Sequence, residues 1–292
     1  MTNTSSTFGN SQPGSLREPS AAHQHIGFIG GGNMASAIIG GLIKQGVPAD
    51  HISVVEPWAE AREKLSADFG ITAQEQPGPT LARAGTVVWA VKPQTFKEAA
   101  LQARFHTRQA LHLSVAAGIR SDSIAHWLGT ERIVRAMPNT PALVGKGMTA
   151  LYPRPGTTEQ DRHIIERVLA PTGEVLWVAD EVQLDAVTAI SGSGPAYVFY
   201  FIEAMTQAGA DMGLSCEQAH QLAVGTFVGA SELARRSNEP PEILRQRVTS
   251  KGGTTYAAIS RMEQDDIKTQ FVQAIRAAEQ RARELGDEFG AS

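Results

Sequence analysis

The segment His25-Ile26-Gly27-Phe28-Ile29-Gly30-Gly31-Gly32-Asn33-Met34-Ala35 constrains the fold of this chain more than any other. Its first residues read as a short apolar strand. The glycines open a helix whose apolar positions Met34, Ala37, Ile38, Gly41 and Leu42 recur at helical spacing. Gly30, Gly32 and Ala35 hold the G-x-G-x-x-A positions of a dinucleotide-binding turn. The first permits the tight turn, the second lets backbone approach a pyrophosphate, and the third lets helix pack on strand. Taken alone, such a match is weak. Here it leaves a strand, opens a helix, and precedes a second strand, Ile52 to Glu56, ending in an acidic residue at the expected spacing.

Strands are expected at His25–Gly30, Ile52–Glu56, Thr86–Val91, Leu111–Val115, Arg132–Ala136, Thr149–Tyr152 and Glu174–Trp177. Helices Ala59–Phe69, Thr95–Ala103, Ser121–Leu128 and Thr158–Leu169 fall between them. That alternation predicts an α/β fold, a Rossmann-type doubly wound sheet. After about residue 182 only helical patterns remain: Ala196–Met212, Ser215–Arg236, Thr255–Met262 and Ile267–Glu288. The expected organisation is a disordered tail at 1–22, a dinucleotide-binding domain at 23–181, and an all-α substrate-binding and dimerisation domain at 182–292. Tyr197 to Ile202 is apolar on all sides, so that helix needs a surface beyond its own domain to cover it. Ile267, Phe271, Ala274, Ile275, Ala278, Ala282 and Leu285 form a stripe expected to bury one face of the last helix.

Ligands of doubly wound sheets bind outside the carboxyl ends of the strands. Three loops on that rim are unusual. Ala90-Val91-Lys92-Pro93 ends a strand with a cation and a proline; Ala116-Ala117-Gly118 is small enough to admit a flat ring; Met137-Pro138-Asn139-Thr140-Pro141 is a rigid turn. Ser191-Gly192-Ser193-Gly194-Pro195-Ala196-Tyr197 reads as a flexible turn with Pro195 in the first turn of a helix. Further on, Val248-Thr249-Ser250-Lys251-Gly252-Gly253-Thr254-Thr255 sets two glycines among hydroxyl residues ahead of a helix. Backbone N–H groups, hydroxyls and the helix dipole would converge there on a small anion, a carboxylate or a phosphate. The alternative is a hydroxyl-rich loop with an ordinary N-cap at Thr254 or Thr255.

Composition excludes other classes. With 19% charged residues and a net charge of -4 there is no basic field for nucleic acid. The longest apolar run, Ala196 to Ile202, is too short for a bilayer, so no membrane partner is expected. The single cysteine, Cys216, excludes an intrachain disulfide and a multi-cysteine metal site and favours a reducing compartment. Ser215 and Gln218 form a capping box beside it, which makes Cys216 a packing residue. The eight histidines are scattered. No metal and no catalytic histidine are expected.

In order from about residue 25 to about residue 285, the Gly30–Met34, Ala90–Pro93, Met137–Pro141, Ser191–Tyr197 and Val248–Thr255 motifs closely resemble the pyrroline-5-carboxylate reductase family. The resemblance implies the last step of proline synthesis, in which NADPH or NADH gives a hydride to the C=N carbon of a cyclic imino acid. It implies a cytoplasmic homodimer or ring of dimers, joined through the helical domain, with each site shared between two subunits. Ser250, Gly252, Gly253 and Thr254 would hold the substrate carboxylate, and the Thr255 hydroxyl would face the ring nitrogen. Ser191, Gly192, Ser193, Gly194 and Pro195 would shape the floor near the nicotinamide. Lys92 and Asn139 would line the cofactor, with Gly30, Gly32, Asn33, Met34, Ala35, Glu56, Ala90, Val91, Pro93, Ala116, Ala117 and Gly118. Cofactor choice departs from the family pattern: Glu56 suits a ribose diol and repels a 2'-phosphate, while Arg62, one helical turn on, could neutralise it. Family habit favours NADPH. A related imine or 2-hydroxy-acid reductase would share the first motif, and so would a non-catalytic nucleotide sensor. The hydroxyl-glycine loop separates the first of these, and Thr255 the second.

Overall fold

The computed structural model describes residues 25–290. The expected tail at 1–22, with His23, lies outside the described residues. Seven strands form one sheet in the order β2-β1-β3-β4-β5-β6-β7. They are β1 (Ile26–Ile29), β2 (Ile52–Val55), β3 (Thr86–Trp89), β4 (Leu111–Ser114), β5 (Ile133–Met137), β6 (Gly147–Pro153) and β7 (Gly173–Trp177). All neighbours are parallel except β5 and β6, which pair antiparallel with Met137 opposite Ala150. The strand order reverses between β1 and β3, and that switch point is where a doubly wound sheet opens a crevice.

β1, β3 and β4 are buried at every position. Helices cover both faces, so even the polar Thr86, His112 and Ser114 are buried there. On one face lie Ile38, Ile39 and Leu42 of α1 (Asn33–Lys44) and Ile165 and Leu169 of α5 (Glu159–Leu169). On the other lie Phe96, Ala100 and Ala103 of α3 (Pro93–Thr107) and Ile124, Trp127 and Leu128 of α4 (Ser121–Leu128). Each large apolar side chain taken fully out of water contributes about 1.5–3 kcal/mol. The remaining helix of this half is α2 (Ala59–Phe69).

From Gln183 the chain is helical: α6 (Gln183–Val187), a π-helical turn at Thr188–Gly192, α7 (Gly194–Asp211), α8 (Cys216–Arg236), α9 (Pro241–Arg247), α10 (Thr254–Gln264) and α11 (Ile267–Gly290). Ser191–Tyr197 is therefore not a flexible turn. It is the end of a π turn running directly into α7, closed by Ser193 N–H on the Thr188 carbonyl at 2.8 Å. The short α6 and α9 have no counterpart in the sequence periodicity. The capping box is present, since the Ser215 hydroxyl accepts from Gln218 N–H at 3.1 Å. Cys216 itself is exposed rather than packed.

This half has almost no core. Among described residues from 194 onward only Gly209, Ala219, Ala223, Ala282 and Gly286 are buried. Phe199 is 58% exposed, Tyr200 69%, Leu222 59% and Val228 66%. The α11 stripe closes only in part: Phe271 stacks edge-on against Tyr197 and Phe201, and Ala282 is its one fully buried member.

Within the nucleotide half, the Trp89 indole N–H donates to His112 Nδ1 at 3.0 Å, both side chains being buried. Burial pushes the His112 imidazole from 6.5 down to about 4. The unfolded chain takes up this proton first, so stability due to the neutral ring is complete above 6.5 and is lost as pH falls toward 4. His25 is also lowered, chiefly by burial, so a variant is needed to isolate His112. Urea unfolding at pH 7 and pH 5 should show a smaller loss for His112→Gln than for the unaltered protein. Equal losses would contradict the assignment.

Candidate active site

At the switch point the backbone of β1 and β3 comes together. Gly30 has φ +94, and a Cβ there would lie 2.5 Å from the Ala90 carbonyl oxygen, so no other residue fits. The Ala90 N–H donates to the Ile29 carbonyl at 2.8 Å, completing the contact. Two predicted motifs, the glycine turn and Ala90–Pro93, thus form one wall. Gly32 is different, for a Cβ there would meet nothing within 4 Å. It is also the N-cap of α1, with no side-chain cap and no acidic residue in the first turn. The N–H groups of that turn have no helical acceptors. An open space in front of uncapped donors fits an anion such as a pyrophosphate.

Glu56, at the end of β2, is 7% exposed. Its Oε2 accepts from Gly31 N–H at 2.7 Å and its Oε1 from Trp58 N–H at 3.0 Å. The carboxylate is therefore a strut under the glycine turn. Arg62 does not neutralise it: its Nη1 donates to the main-chain carbonyls of Glu56 at 2.9 Å and Pro57 at 2.6 Å, and its Nη2 lies 3.7 Å from Glu75.

On the rest of the rim, Lys92 is exposed at the N-cap of α3, with Pro93 following it. The sequence leaves Ala116-Ala117-Gly118 open to a ring, and the structure fills part of that space. Ala116 is 4% exposed and belongs to the core, while Gly118 lies against Leu285 and Phe289 of α11. Only Ala117 is exposed. Asn139 donates from Nδ2 to Ser191 Oγ at 3.1 Å and to the Ser191 carbonyl at 3.3 Å, and accepts from Met148 N–H at 2.9 Å. A Cβ on Gly192 would lie 2.5 Å from Met137 Cε. The Met137–Pro141 and Ser191–Pro195 motifs, far apart in sequence, thus meet at the carboxyl end of β5.

The loop before α10 is a tight turn. Gly253 N–H donates to the Ser250 carbonyl at 3.0 Å, and Gly252 has φ +75. The N-cap is Gly253, with no side-chain cap. Thr254 and Thr255 are the first two residues of the helix, so the reading of either as an N-cap is overturned. Among the described residues their hydroxyls have no hydrogen-bond partner, and no hydrogen bond or ion pair of residues 248–264 reaches the nucleotide half. Also among the described residues, no group of three or more His, Cys, Asp or Glu is placed to hold a metal, and no helix is long and apolar enough to cross a membrane.

A doubly wound sheet with an open, uncapped glycine turn at its switch point, followed by a helical half, defines a nicotinamide-dinucleotide-dependent oxidoreductase. Residues 181–285 match the family described as pyrroline-5-carboxylate reductase dimerisation, and residues 25–118 that described as NADP oxidoreductase coenzyme F420-dependent. A pyrroline-5-carboxylate reductase of Pseudomonas aeruginosa is 44% identical over 91% of this chain and 98% of its own length. One from Arabidopsis thaliana is 36% identical over 89% and 95%. The solved reductase from Coxiella burnetii covers 90% of this chain and 98% of its own at 36% identity and a TM-score of 0.84. That of Plasmodium falciparum, with NADP bound, covers 91% and 99% at 26% identity and a TM-score of 0.81. The chain belongs to the pyrroline-5-carboxylate reductase family.

Removing the Glu56 strut leaves the buried Gly31 N–H without an acceptor, which costs about 1–3 kcal/mol. Denaturant titration should show that loss for Glu56→Ala and a smaller one for Glu56→Gln, whose amide oxygen still accepts. An unchanged midpoint for Glu56→Ala would contradict the strut.

Proposed function

We propose that this chain reduces 1-pyrroline-5-carboxylate to L-proline at a site assembled from two copies, with NADPH as donor and NADH as the alternative. The carrying observation is that the hydroxyl-glycine loop at 250–255, with its unpartnered helix N-terminus, is complete and yet has no bonded contact with the nucleotide half of its own chain. A partner's nucleotide half supplies what is missing. Family membership and the uncovered apolar face of α7 and α8 support that assembly. The division falls at 181/182, the homodimer or a ring of such dimers is the working form, and the single cysteine favours a reducing cytoplasm.

In this reading Gly30, Gly32, Asn33, Met34 and Ala35 hold the dinucleotide phosphates. Ala90, Val91, Lys92, Pro93, Ala116, Ala117, Gly118 and Asn139 line the rest of the cofactor. Glu56 acts through Gly31 rather than by repelling a 2'-phosphate, so its loss should weaken NADPH and NADH alike. Bound nicotinamide supplies a hydride for the C=N carbon. The Gly252 and Thr254 N–H groups, with the Ser250 hydroxyl, grip the substrate carboxylate in the turn that the Gly253 N–H closes on the Ser250 carbonyl. The Thr255 hydroxyl hydrogen-bonds the ring nitrogen, the atom that gains a proton as the carbon gains a hydride. Ser191, Gly192, Ser193, Gly194 and Pro195 form the floor, held to the nucleotide half by the Asn139 bonds.

Oxidation of NAD(P)H dependent on added pyrroline-5-carboxylate tests the activity. Thr255→Ala should lose about 1.5–3 kcal/mol of transition-state stabilisation, roughly ten- to a hundredfold in kcat/KM. Because Gly253 is the cap, its melting temperature should stay unchanged. A destabilised variant with full kcat/KM would remove Thr255 from the chemistry. Ultracentrifugation should find a dimer as the smallest active species, and a fully active monomer would sink the shared site.

A further inference from the structure

A buried ionic cluster joins the two halves directly behind the loop that follows β4. Glu181, just ahead of α6, accepts from Ser121 N–H and from Ser121 Oγ, each at 2.6 Å, one on each carboxylate oxygen. Its Oε1 also accepts from Arg135 Nη1 at 2.8 Å. Arg135 lies in the middle of β5 and is 2% exposed, an arginine no strand would bury without this partner. One residue before Ser121, Arg120 donates to Asp185 of α6, with contacts of 3.2 and 3.0 Å to its two oxygens. Asp185 is 2% exposed. The other side of the same loop is closed by α11. A Cβ on Gly286 would lie 2.7 Å from the Arg120 guanidinium, and Gly118 rests on Leu285 and Phe289.

Residues 118–121 are thus gripped between α6 and α11. The N-cap of α4, Arg120, makes no side-chain cap of its own. The cap comes from Glu181, the residue at the boundary between the halves, two positions ahead of α6. A carboxylate at a helix N-terminus, with both oxygens used, leaves that turn one position.

We propose that Glu181 is a positioning residue for the cofactor: by capping α4 from the junction with the helical half it sets where Ala116-Ala117-Gly118 stands. This rests on the reading of that loop as a cofactor contact. Arg135 and the Arg120–Asp185 pair hold Glu181 and the turn in register. The halves are tied here and at Asn139–Ser191, on either side of the cofactor rim, in addition to the exposed Arg235–Glu174 pair at 3.9 Å.

The test measures NADPH binding by fluorescence titration without substrate, steady-state constants for cofactor and imine, and melting temperature. The variants are Glu181→Gln, Glu181→Ala and Ser121→Ala, with Glu159→Gln as control. Glu159 pairs with Arg162 at 3.6 Å on the exposed side of α5, outside this cluster. Glu181→Ala should raise the Kd and KM for NADPH about fivefold or more, with the imine KM held within about twofold. Glu181→Gln, which keeps an acceptor, should recover part of this. Glu159→Gln should leave both constants alone. If Glu181→Ala does not fold, Glu181→Gln and Ser121→Ala carry the test through a smaller rise in Kd. A lowered melting temperature with unchanged cofactor constants would make Glu181 merely structural and overturn the proposal. Ala117→Val, at the exposed residue of the loop, separates the two layers. If it weakens NADPH while the Glu181 variants do not, only the positioning role fails; if neither does, the reading of the loop fails as well.

Discussion

The uncovered apolar face of the helical half is the constraint on which the rest depends. In the nucleotide half Trp89, Phe28 and Phe96 are fully buried and both sheet faces are closed. From residue 194 on, the buried described residues are alanines and glycines, while Phe199, Tyr200, Leu222 and Val228 face outward. Burying each such side chain is worth about 1.5–3 kcal/mol, a large share of a domain's net stability. A second copy of the same face is the surface that family membership points to. In the proposed shared site, dimerisation and catalysis have one cause: the association that covers α7 and α8 is also the one that would carry a 250–255 loop to a nucleotide half.

The junction within one chain works differently. It combines the Glu181 and Asp185 ion pairs and the Asn139 bonds with the packing of Phe289 on the nucleotide half's core. Buried ion pairs add little net stability, because desolvation offsets their attraction. What they supply is a single arrangement. Met137 under Gly192 and Leu285 against Gly118 leave that arrangement no room to slide.

Much of this is legible in the sequence, for physical reasons. All seven strands stand where short apolar runs bounded by glycine, proline or charge place them. Gly30 reads correctly because its positive φ and contact with Ala90 admit no side chain. The π turn at Thr188–Gly192 is missed because Ser and Gly signal a turn of any kind, and α9 because it is seven residues long behind two prolines. Glu56 and Gly118 read as cofactor contacts, and the structure adds what the sequence leaves out: the Glu56 carboxylate holds the Gly31 and Trp58 N–H groups, and α11 lies against Gly118. A side chain's direction and the arrival of α11 are tertiary facts that no local pattern carries. The one local clue to the junction is Arg135, a charge inside the apolar run Ile133-Val134-Arg135-Ala136, which calls for a buried partner. Thr255 is legible as a donor or as a cap, and the structure gives the cap to Gly253.

The central claim is that one copy's nucleotide half works with the other's hydroxyl-glycine loop, and complementation tests it most directly. Gly32→Leu fills the open cradle without touching other protein atoms at its Cβ, and Thr255→Ala disables the loop. The two variants are unfolded together, refolded and assayed for imine-dependent NADPH oxidation. With shared sites, each mixed dimer holds one site free of both lesions. Random assortment then predicts about a quarter of the unaltered activity, well above either variant alone. Activity no greater than the average of the separate variants, with mixed dimers shown to be present, would contradict the account.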